Sequence, residues 1–259
     1  MSTTRARPRV LCISGHDPSG GAGIQADIET CAALGAHALS VISAHTVQDT
    51  HNVQRVSPVA PILIASQLAT LIDDSPPQAA KIGLLGDAAQ VEVIIEHLRP
   101  LSIPVVMDPV LRAGGGRALV AAKLQATMIE QMFPIVELLT PNAAEARLLS
   151  RQTELDRSGP ALLKLGARNV LITGGDEPGE GVVDRLFTAD GEMIRFETAR
   201  LPETFHGAGC TLASAIAAFL ALGRPLRSAV EDARSYVDQA LHRALTVGSG
   251  RRIPGRSGP

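Results

Sequence analysis

The chain has 259 residues, of which 45% are hydrophobic and 2% are aromatic, and its formal net charge at pH 7 is −2. This size and hydrophobic content predict one large α/β domain with a substantial core. The near-neutral charge gives no electrostatic reason to expect a nucleic acid or an acidic membrane surface as a partner, and no apolar run reaches the length of about 18 residues needed to span a membrane. We therefore expect a cytoplasmic protein. Three widely spaced cysteines predict neither a disulfide framework nor a zinc site: Cys12, Cys31 and Cys210.

Short apolar runs alternate with helical patterns along most of the chain. The runs are rich in β-branched residues and end at Gly, Pro or polar turns, as buried parallel strands do. A helical pattern lies at 90–98, where the apolar residues fall on one face. The alternation predicts βαβ units, and so an α/β fold in which a mostly parallel sheet carries helices on both faces. The predicted strands are 9–14, 38–44, 79–85, 104–108, 136–140 and 169–173.

The C-terminal part of the chain departs from this alternation. Residues 182–188 and 193–197 are separated by the turn signal ADGE, which predicts a hairpin and a small antiparallel edge of the sheet. Two helical patterns follow at 210–222 and 226–245. We expect a single domain over 9–247, with a flexible N-terminus at 1–8 and a disordered tail, GSGRRIPGRSGP, at 248–259.

The loop after the first predicted strand, SGHDPSGGAGIQADIE at 14–29, opens a helix with several glycines. Residues 21–26 fit the G-x-G-x-x-G/A dinucleotide pattern, but the second predicted strand ends at Ser43, Ala44 and His45 without the acidic residue that this pattern requires. The dinucleotide interpretation is therefore weak, and a plain tight turn is the alternative. Polar residues without an evident packing role favour a ligand-binding role for the loop: His16, Asp17, Ser19 and Asp27.

Acidic side chains follow two other predicted strands, where ligands of a parallel sheet bind. Asp108 ends a buried strand in MDPVLRAGGGRAL, and its charge must be matched by a cation, a group of donors or water. Asn142 and Glu145 in TPNAAEA stand three residues apart at a predicted helix start, so they share one face, as a hydrated Mg²⁺ and its phosphate would require. An ordinary capping box is an equally good interpretation of that pair.

A glycine turn precedes the first of the two C-terminal helices. Gly207, Ala208 and Gly209 lead directly into it, so backbone N–H groups at the positive end of the helix predict an anion site. Cys210 lies at the same place, and we expect the helix dipole to lower the pKa of its thiol. The alternative is that Cys210 packs only as a small apolar residue. An anion site beside a base indicates phosphoryl transfer.

Five segments in this order, spanning almost the whole chain, resemble the hydroxymethylpyrimidine/phosphomethylpyrimidine kinases of thiamin biosynthesis, in the ribokinase superfamily: SGHDPSGGAGIQADIET, KIGLLG, DPV, TPNAAEA and HGAGCTLASAIAA. The resemblance implies a three-layer αβα fold, a homodimer, and ATP- and Mg²⁺-dependent phosphorylation of 4-amino-5-hydroxymethyl-2-methylpyrimidine and then of its monophosphate. It also implies that Cys210 takes the proton of the substrate hydroxymethyl group, while the amides of residues 207–210 stabilise the transferred phosphoryl group.

The same resemblance implies the remaining site residues. Asp108 and Glu145 would organise Mg²⁺, and Asp108, Asn142, Thr173 and Gly175 would lie at the ATP phosphates. The amide of Gln48 can both donate to and accept from an aminopyrimidine, and Asp27 can accept from its amino group. The pyrimidine pocket implied by the resemblance consists of Gly15, Asp27, Gln48, Leu84 and Val110.

Several positions depart from the family pattern. Thr173 stands where the family usually has a lysine, and the lid segment reads RAGGG at 112–116, where Arg112 or Arg117 could supply the missing positive charge. Two rival interpretations remain. A pyridoxal or pyridoxine kinase of the same superfamily would share the anion site and the metal residues, and the missing lysine at 173 leaves open a catalytically weak pyrimidine-binding regulator. We expect the second phosphorylation step to be retained, because its phosphate nucleophile is already ionised and needs the base less.

Overall fold

The computed structural model describes residues 7–111, 119 and 121–257. Its centre is one nine-stranded sheet in the order β3-β2-β1-β4-β5-β6-β7-β8-β9. The strands are β1 (Arg9–His16), β2 (His37–Gln48), β3 (Val53–Pro58), β4 (Ala79–Ile82), β5 (Val105–Met107), β6 (Leu138–Leu139), β7 (Val170–Ile172), β8 (Gly181–Phe187) and β9 (Met193–Ala199).

Eight α-helices accompany the strands in the described part of the chain. They are α1 (Gly23–Ala33), α2 (Pro61–Asp74), α3 (Ala88–Leu98), α4 (Ala122–Thr127), α5 (Ala143–Ser150), α6 (Leu155–Lys164), α7 (Ala208–Ala221) and α8 (Leu226–His242). A π-helical turn, Met128–Met132, and a 3-10 turn, Phe133–Ile135, continue α4, and another 3-10 turn, Arg99–Leu101, follows α3. No described helix is both long and apolar enough to cross a membrane.

The predicted parallel sheet is confirmed. β2, β1, β4, β5, β6 and β7 pair in parallel, and β7, β8 and β9 form the predicted antiparallel edge. The sequence analysis missed β3, which pairs antiparallel with β2 at the opposite edge. β3 is mostly exposed and polar, reading VQRVSP, so it lacks the apolar run by which the buried strands were found.

Two apolar cores lie on the two faces of the sheet and give the three layers. Successive side chains of a strand point to opposite faces. Leu11 and Ile13 of β1 therefore join the core formed with α2 and α3, and Val10 and Cys12 join the core formed with α1, α7 and α8. The helix α7, which carries the predicted anion site, is thus held against the sheet along an almost entirely buried face.

The C-terminal segment differs from the predicted disordered tail. Residues 248–257 are ordered against the domain, with Ile253 4% exposed and paired to Leu245, and with Arg256 2% exposed. Gly and Arg content is typical of disorder, but here the backbone and the guanidinium find partners that only the folded chain brings together. Of the predicted flexible N-terminus only Arg7 and Pro8 are described, and Pro8 accepts a hydrogen bond from the His37 amide at 2.7 Å. The domain extent of 9–247 stays a prediction.

Candidate active site

The glycine turn before α7 lies where the carboxyl ends of the parallel strands meet. Gly207 is the N-cap residue of α7 at φ 88°, a left-handed conformation that favours glycine. A Cβ atom on Gly207 would lie 1.8 Å from the carbonyl oxygen of Gly21, so the turn packs directly on the glycine-rich loop after β1. No described side chain caps this helix start or places an acid in its first turn. The amides of residues 207–210 are therefore suited to an anion.

Cys210 lies beside Asp108, and its Sγ donates to Asp108 Oδ2 at 3.5 Å. Burial and the charges of Asp108 and Asp27 together raise the pKa of the Cys210 thiol to about 12, against the opposing charge of Lys81. The prediction that the helix dipole lowers this pKa is therefore wrong. The dipole acts within one turn, and here desolvation and two nearby carboxylates outweigh it.

Asp108 and Glu145 bring two buried carboxylates together. Burial raises the pKa of Asp108, against the opposing charge of Lys81. Burial and the charge of Asp108 raise the pKa of Glu145 to about 8. A buried carboxylate whose pKa is raised by a neighbouring carboxylate belongs to a site that a cation would stabilise.

Asn142 and Glu145 form the capping box that was the alternative interpretation of this pair. Asn142 Oδ1 accepts from the Glu145 amide at 2.9 Å, and Glu145 Oε2 accepts from the Asn142 amide at 3.1 Å. Glu145 Oε1 also accepts from the Leu111 amide at 3.0 Å, which ties the loop after β5 to α5. The capping role therefore fixes the position of the carboxylate, and it is compatible with a further ligand because each oxygen has two lone pairs.

The predicted Mg²⁺ residues are two carboxylates, Asp108 and Glu145. Among the described residues, no group of three or more His, Cys, Asp or Glu side chains is arranged to hold a metal. Mg²⁺ in phosphoryl-transfer sites is usually held by one or two carboxylates together with substrate phosphates and water, so Asp108 and Glu145 provide a sufficient donor set.

A buried ion pair lies beneath the site. Lys81 Nζ is 2.8 Å from Asp27 Oδ1, and both side chains are 0% exposed. Ser14 and Ser214 also donate to Asp27, each at 2.6 Å, and Lys81 Nζ donates to Ser14 Oγ at 2.9 Å. Burial opposes the charge of Lys81, but Asp27, Cys210 and Asp108 outweigh it and raise its pKa. All these contacts of Asp27 are with the chain itself, so its direct contact with the substrate stays a prediction.

The sequence analysis did not single out Lys81, although a signal was present. Lys81 interrupts the apolar run AAKIGLL, and a charge inside a buried strand must be paired. Ser14 and Ser214 carried no such signal, because serine is common in strands and helices of every kind.

The structure brings some of the predicted pocket residues together. Gly15, at the end of β1, packs on Leu84, since a Cβ atom on Gly15 would lie 3.0 Å from Leu84 Cδ2. Gln48 is the last residue of β2 and is half-buried, and Val110 follows Asp108 in the loop after β5. These residues lie at the same end of neighbouring strands, and their contacts with a pyrimidine stay predictions.

The predicted nucleotide residues lie after β6 and β7. The Thr173 amide donates to the Pro141 carbonyl at 3.0 Å, which places Thr173 next to Asn142. Gly175 is exposed and has open space where a Cβ atom would stand. Arg200 holds this loop by donating to its carbonyl groups, including that of Gly175 at 2.6 Å. Arg112 and Arg117 lie outside the described residues.

His206 and Asp17 connect the glycine-rich loop after β1 to the glycine turn before α7. His206 Nε2 is 2.7 Å from Asp17 Oδ2, and Asp17 Oδ1 accepts from Ser19. Burial opposes ionisation of Asp17, but the hydrogen bonds with His206 and Ser19 outweigh it and lower its pKa. His206 precedes Gly207, so this pair helps to set the position of the turn.

Comparison with known proteins assigns the chain to a family. The family model described as phosphomethylpyrimidine kinase matches residues 17–254. A relative from Synechococcus elongatus, named hydroxymethylpyrimidine/phosphomethylpyrimidine kinase, is 39% identical over 95% of this chain and 96% of its own. A thiamine biosynthesis bifunctional protein from Geobacter sulfurreducens is 39% identical over 94% of this chain and 51% of its own.

Solved structures are similar over nearly the whole fold. An ADP complex of Bacillus subtilis pyridoxal kinase has a TM-score of 0.89 at 29% identity and covers 97% of this chain and 98% of its own. Phosphomethylpyrimidine kinase from Clostridium difficile has a TM-score of 0.78 at 34% identity and covers 91% of this chain and 100% of its own. The family model and the relatives' identity over most of the chain show that the chain belongs to the phosphomethylpyrimidine kinase family, and the solved structures share its fold.

Proposed function

We propose that the protein uses ATP to phosphorylate 4-amino-5-hydroxymethyl-2-methylpyrimidine and its monophosphate, giving the diphosphate used in thiamin biosynthesis. The observation that carries the proposal is the juxtaposition of the uncapped glycine turn at Gly207 with Cys210 and Asp108. The turn offers amides to a phosphoryl group, and the thiol and the carboxylate offer a proton acceptor at the same point. Phosphoryl transfer requires this combination of positioning and charge stabilisation.

The proton of the hydroxymethyl group has a path into the protein. Because the thiol is protonated at neutral pH, we propose that Cys210 Sγ passes its proton to Asp108 Oδ2 as it accepts the proton of the substrate. Asp108 has two carboxylate oxygens, so Oδ2 would take the proton while the other oxygen stays available to a cation. Lys81 lies beneath both groups and offsets the negative charge around them. The amides of the turn stabilise the charge on the transferred phosphoryl group.

Mg²⁺ belongs to this proposal. Asp108 and Glu145 are the residues that would hold it, because they are neighbouring buried carboxylates at the end of β5 and the start of α5. When bound, the ion would neutralise charge on the ATP phosphates. Thr173 and Gly175 lie on the adjacent loop and would approach the phosphates through backbone and hydroxyl groups. The family lysine has no equivalent at 173.

We also propose a cytoplasmic homodimer. Ile28 on α1 and Ile62 and Leu63 on α2 are 42%, 75% and 50% exposed, and large apolar side chains exposed together are typical of an interface. Sedimentation of the purified protein would measure the mass, and a monomer at every concentration would contradict the proposal.

Pyridoxal kinase is a second candidate function, because the Bacillus subtilis pyridoxal kinase complex has a higher TM-score than the Clostridium difficile phosphomethylpyrimidine kinase. The overall fold does not separate the two activities, since both enzyme types share it. The family match and the higher identity to the pyrimidine kinases favour the aminopyrimidine as substrate. Parallel assays with both substrates discriminate between the candidates.

The test is ADP release with Mg-ATP and hydroxymethylpyrimidine, its monophosphate or pyridoxal, using wild type and Cys210→Ala. We expect turnover of both pyrimidines, and a loss in the variant of about 10²–10⁴-fold in the first step, which needs a proton acceptor. The rate of the second step, phosphorylation of the monophosphate, should fall less in this variant, because its nucleophile is already ionised. Cys31→Ala is the matched control, since Cys31 is a buried cysteine of the apolar core.

Turnover of pyridoxal alone, or of no substrate, would contradict the proposed function. Equal loss of both steps in Cys210→Ala would contradict the proton path while leaving the substrate assignment intact.

A further inference from the structure

Arg256 reaches from the C-terminal segment into the interior of the protein. Its side chain is 0% exposed, and it is among the largest fully buried side chains of the described residues. Its guanidinium makes four hydrogen bonds, which use most of the five N–H groups that it carries. The acceptors are Thr211 Oγ1 at 2.9 Å, the Gly20 carbonyl at 3.2 Å, Glu29 Oε2 at 3.0 Å and the Gly21 carbonyl.

These contacts join the two glycine-rich segments of the candidate active site. Gly20 and Gly21 belong to the loop after β1, and Thr211 lies in the first turn of α7. The Thr211 hydroxyl accepts from Arg256 Nε and donates to the Gly207 carbonyl at 2.8 Å. The direction of this hydroxyl is therefore fixed, and a continuous chain of hydrogen bonds runs from Arg256 to Gly207.

The guanidinium of Arg256 also packs against the glycine turn at Gly207 and places a positive charge there. A Cβ atom on Gly207 would lie 2.9 Å from Arg256 Nη2, so the guanidinium stands directly behind the N-cap position. Among the described residues, its one ion-pair partner is Glu29, whose side chain is 42% exposed. Water therefore screens the carboxylate of Glu29, which neutralises the charge of Arg256 only in part. The guanidinium therefore leaves positive potential behind the amides that face the anion.

The rest of the C-terminal segment anchors this arginine. Tyr236 Oη donates to the Arg256 carbonyl at 2.8 Å, and the Gly255 amide donates to the Ala240 carbonyl at 2.9 Å. Both partners belong to α8, which packs on α7. The C-terminal segment thus contacts α8 through its backbone, and through the Arg256 side chain it contacts α7 and the glycine-rich loop after β1.

We propose that Arg256 is a positioning residue for phosphoryl transfer, which locks the glycine turn at Gly207 against the loop at Gly20 and Gly21 and adds positive charge behind it. This inference rests on the proposed kinase function for its catalytic consequence, but its structural consequence is independent of the substrate. Arginine is required because its planar fork reaches several acceptors at once, whereas a lysine ammonium cannot span them.

The first test compares Arg256→Lys and Arg256→Gln with Arg252→Lys. Arg252 is a matched control, because it lies in the same segment and makes a partly exposed ion pair with Glu203 at 3.1 Å. We expect kcat to fall at least about tenfold in both Arg256 variants, with a smaller change in KM for the pyrimidine, since misplaced catalytic groups cost rate rather than binding. A folded Arg256→Gln enzyme with wild-type kcat would overturn the proposal.

Chemical rescue separates positioning from stability. Arg256→Ala leaves a cavity of the shape of a guanidinium, and added guanidinium chloride should restore part of kcat, whereas sodium chloride and urea at equal concentration should not. Absence of rescue, together with kcat of Arg256→Lys equal to that of the wild type, would assign a purely structural role to Arg256 and overturn the proposal.

Amide hydrogen exchange provides the readout that needs no substrate. The amides of residues 207–211 should exchange faster in Arg256→Lys than in the wild type, and should be unchanged in Arg252→Lys. If the wild type phosphorylates no pyrimidine, the proposed function fails, while faster exchange at the turn still supports the positioning role. Unchanged exchange in a folded Arg256→Lys variant overturns that role whatever the substrate is.

Discussion

The ion pair between Lys81 and Asp27 allows the sharpest prediction about stability. Lys81→Met removes the ammonium from a site where both side chains are 0% exposed and 2.8 Å apart. Asp27 keeps its hydrogen bonds from Ser14 and Ser214, but its negative charge is left buried without a cation. Breaking one partner of a buried pair costs about 3–5 kcal/mol, because the remaining charge is desolvated without compensation.

The double variant Lys81→Met/Asp27→Asn should recover part of that loss. Both charges are then absent. The asparagine oxygen can still accept from one serine hydroxyl, and its amide nitrogen can donate to the other. Replacing both members of a buried pair is often close to neutral, so we expect the free energy of unfolding of the double variant to exceed that of Lys81→Met. Urea unfolding monitored by circular dichroism measures both values.

The matched control is an exposed ion pair. Arg227 Nε lies 3.1 Å from Glu231 Oε1 on α8, and both side chains are about half exposed. Arg227→Met should change the free energy of unfolding by at most about 1 kcal/mol. If Lys81→Met cost as little as this control, or if the double variant were less stable than Lys81→Met, the reasoning about the buried charge would be refuted.

Two further predictions concern the turn and the acidic residues. Gly207→Ala should lower the free energy of unfolding by at least about 1–3 kcal/mol and reduce kcat, because the residue lies at φ 88° and its new Cβ atom would clash with the Gly21 carbonyl oxygen. Gly223→Ala, at φ 82° in open space, should lower the free energy of unfolding only by the backbone strain of about 1 kcal/mol. Equal losses in the two variants would contradict the steric argument. Burial raises the pKa of Glu145 to about 8 from its ordinary 4.5, so its contribution to stability is complete below pH 4.5 and is lost as pH rises towards 8. Urea unfolding at several values between pH 4.5 and pH 8 should show that the free energy of unfolding declines less with pH in Glu145→Gln than in the wild type. An identical pH dependence in the two proteins would contradict the raised pKa of Glu145.

Most of the sheet could be predicted from the sequence, because buried parallel strands are continuous apolar runs whatever surrounds them. RVLCIS and NVLIT carried that signal, and both form interior strands of the sheet, β1 and β7. β3 could not be found in this way, because its exposed and polar sequence forms a strand only beside β2. The glycine turn before α7 could also be predicted, since Gly207 and Gly209 flank a helix start in the sequence itself.

The electrostatics of the site depended on distant residues. The sequence places Cys210 at a helix start, which predicts a lowered pKa, but the fold adds Asp108 and Asp27 and removes water, so the pKa rises instead. The capping box at Asn142 and Glu145 was one of two local interpretations, and the structure shows it while placing Asp108 close to the same carboxylate.

The sequence by itself determined the family, the parallel sheet and the glycine turn, because these depend on short segments whose geometry is local. The tertiary structure alone decided the position of Arg256, the partner of Lys81 and the proton state of Cys210. Arg256 and Thr211 are 45 residues apart in the chain, and Lys81 and Asp27 are 54 apart. Whether a charge is buried and paired is a property of such long-range neighbours, and no local pattern records it.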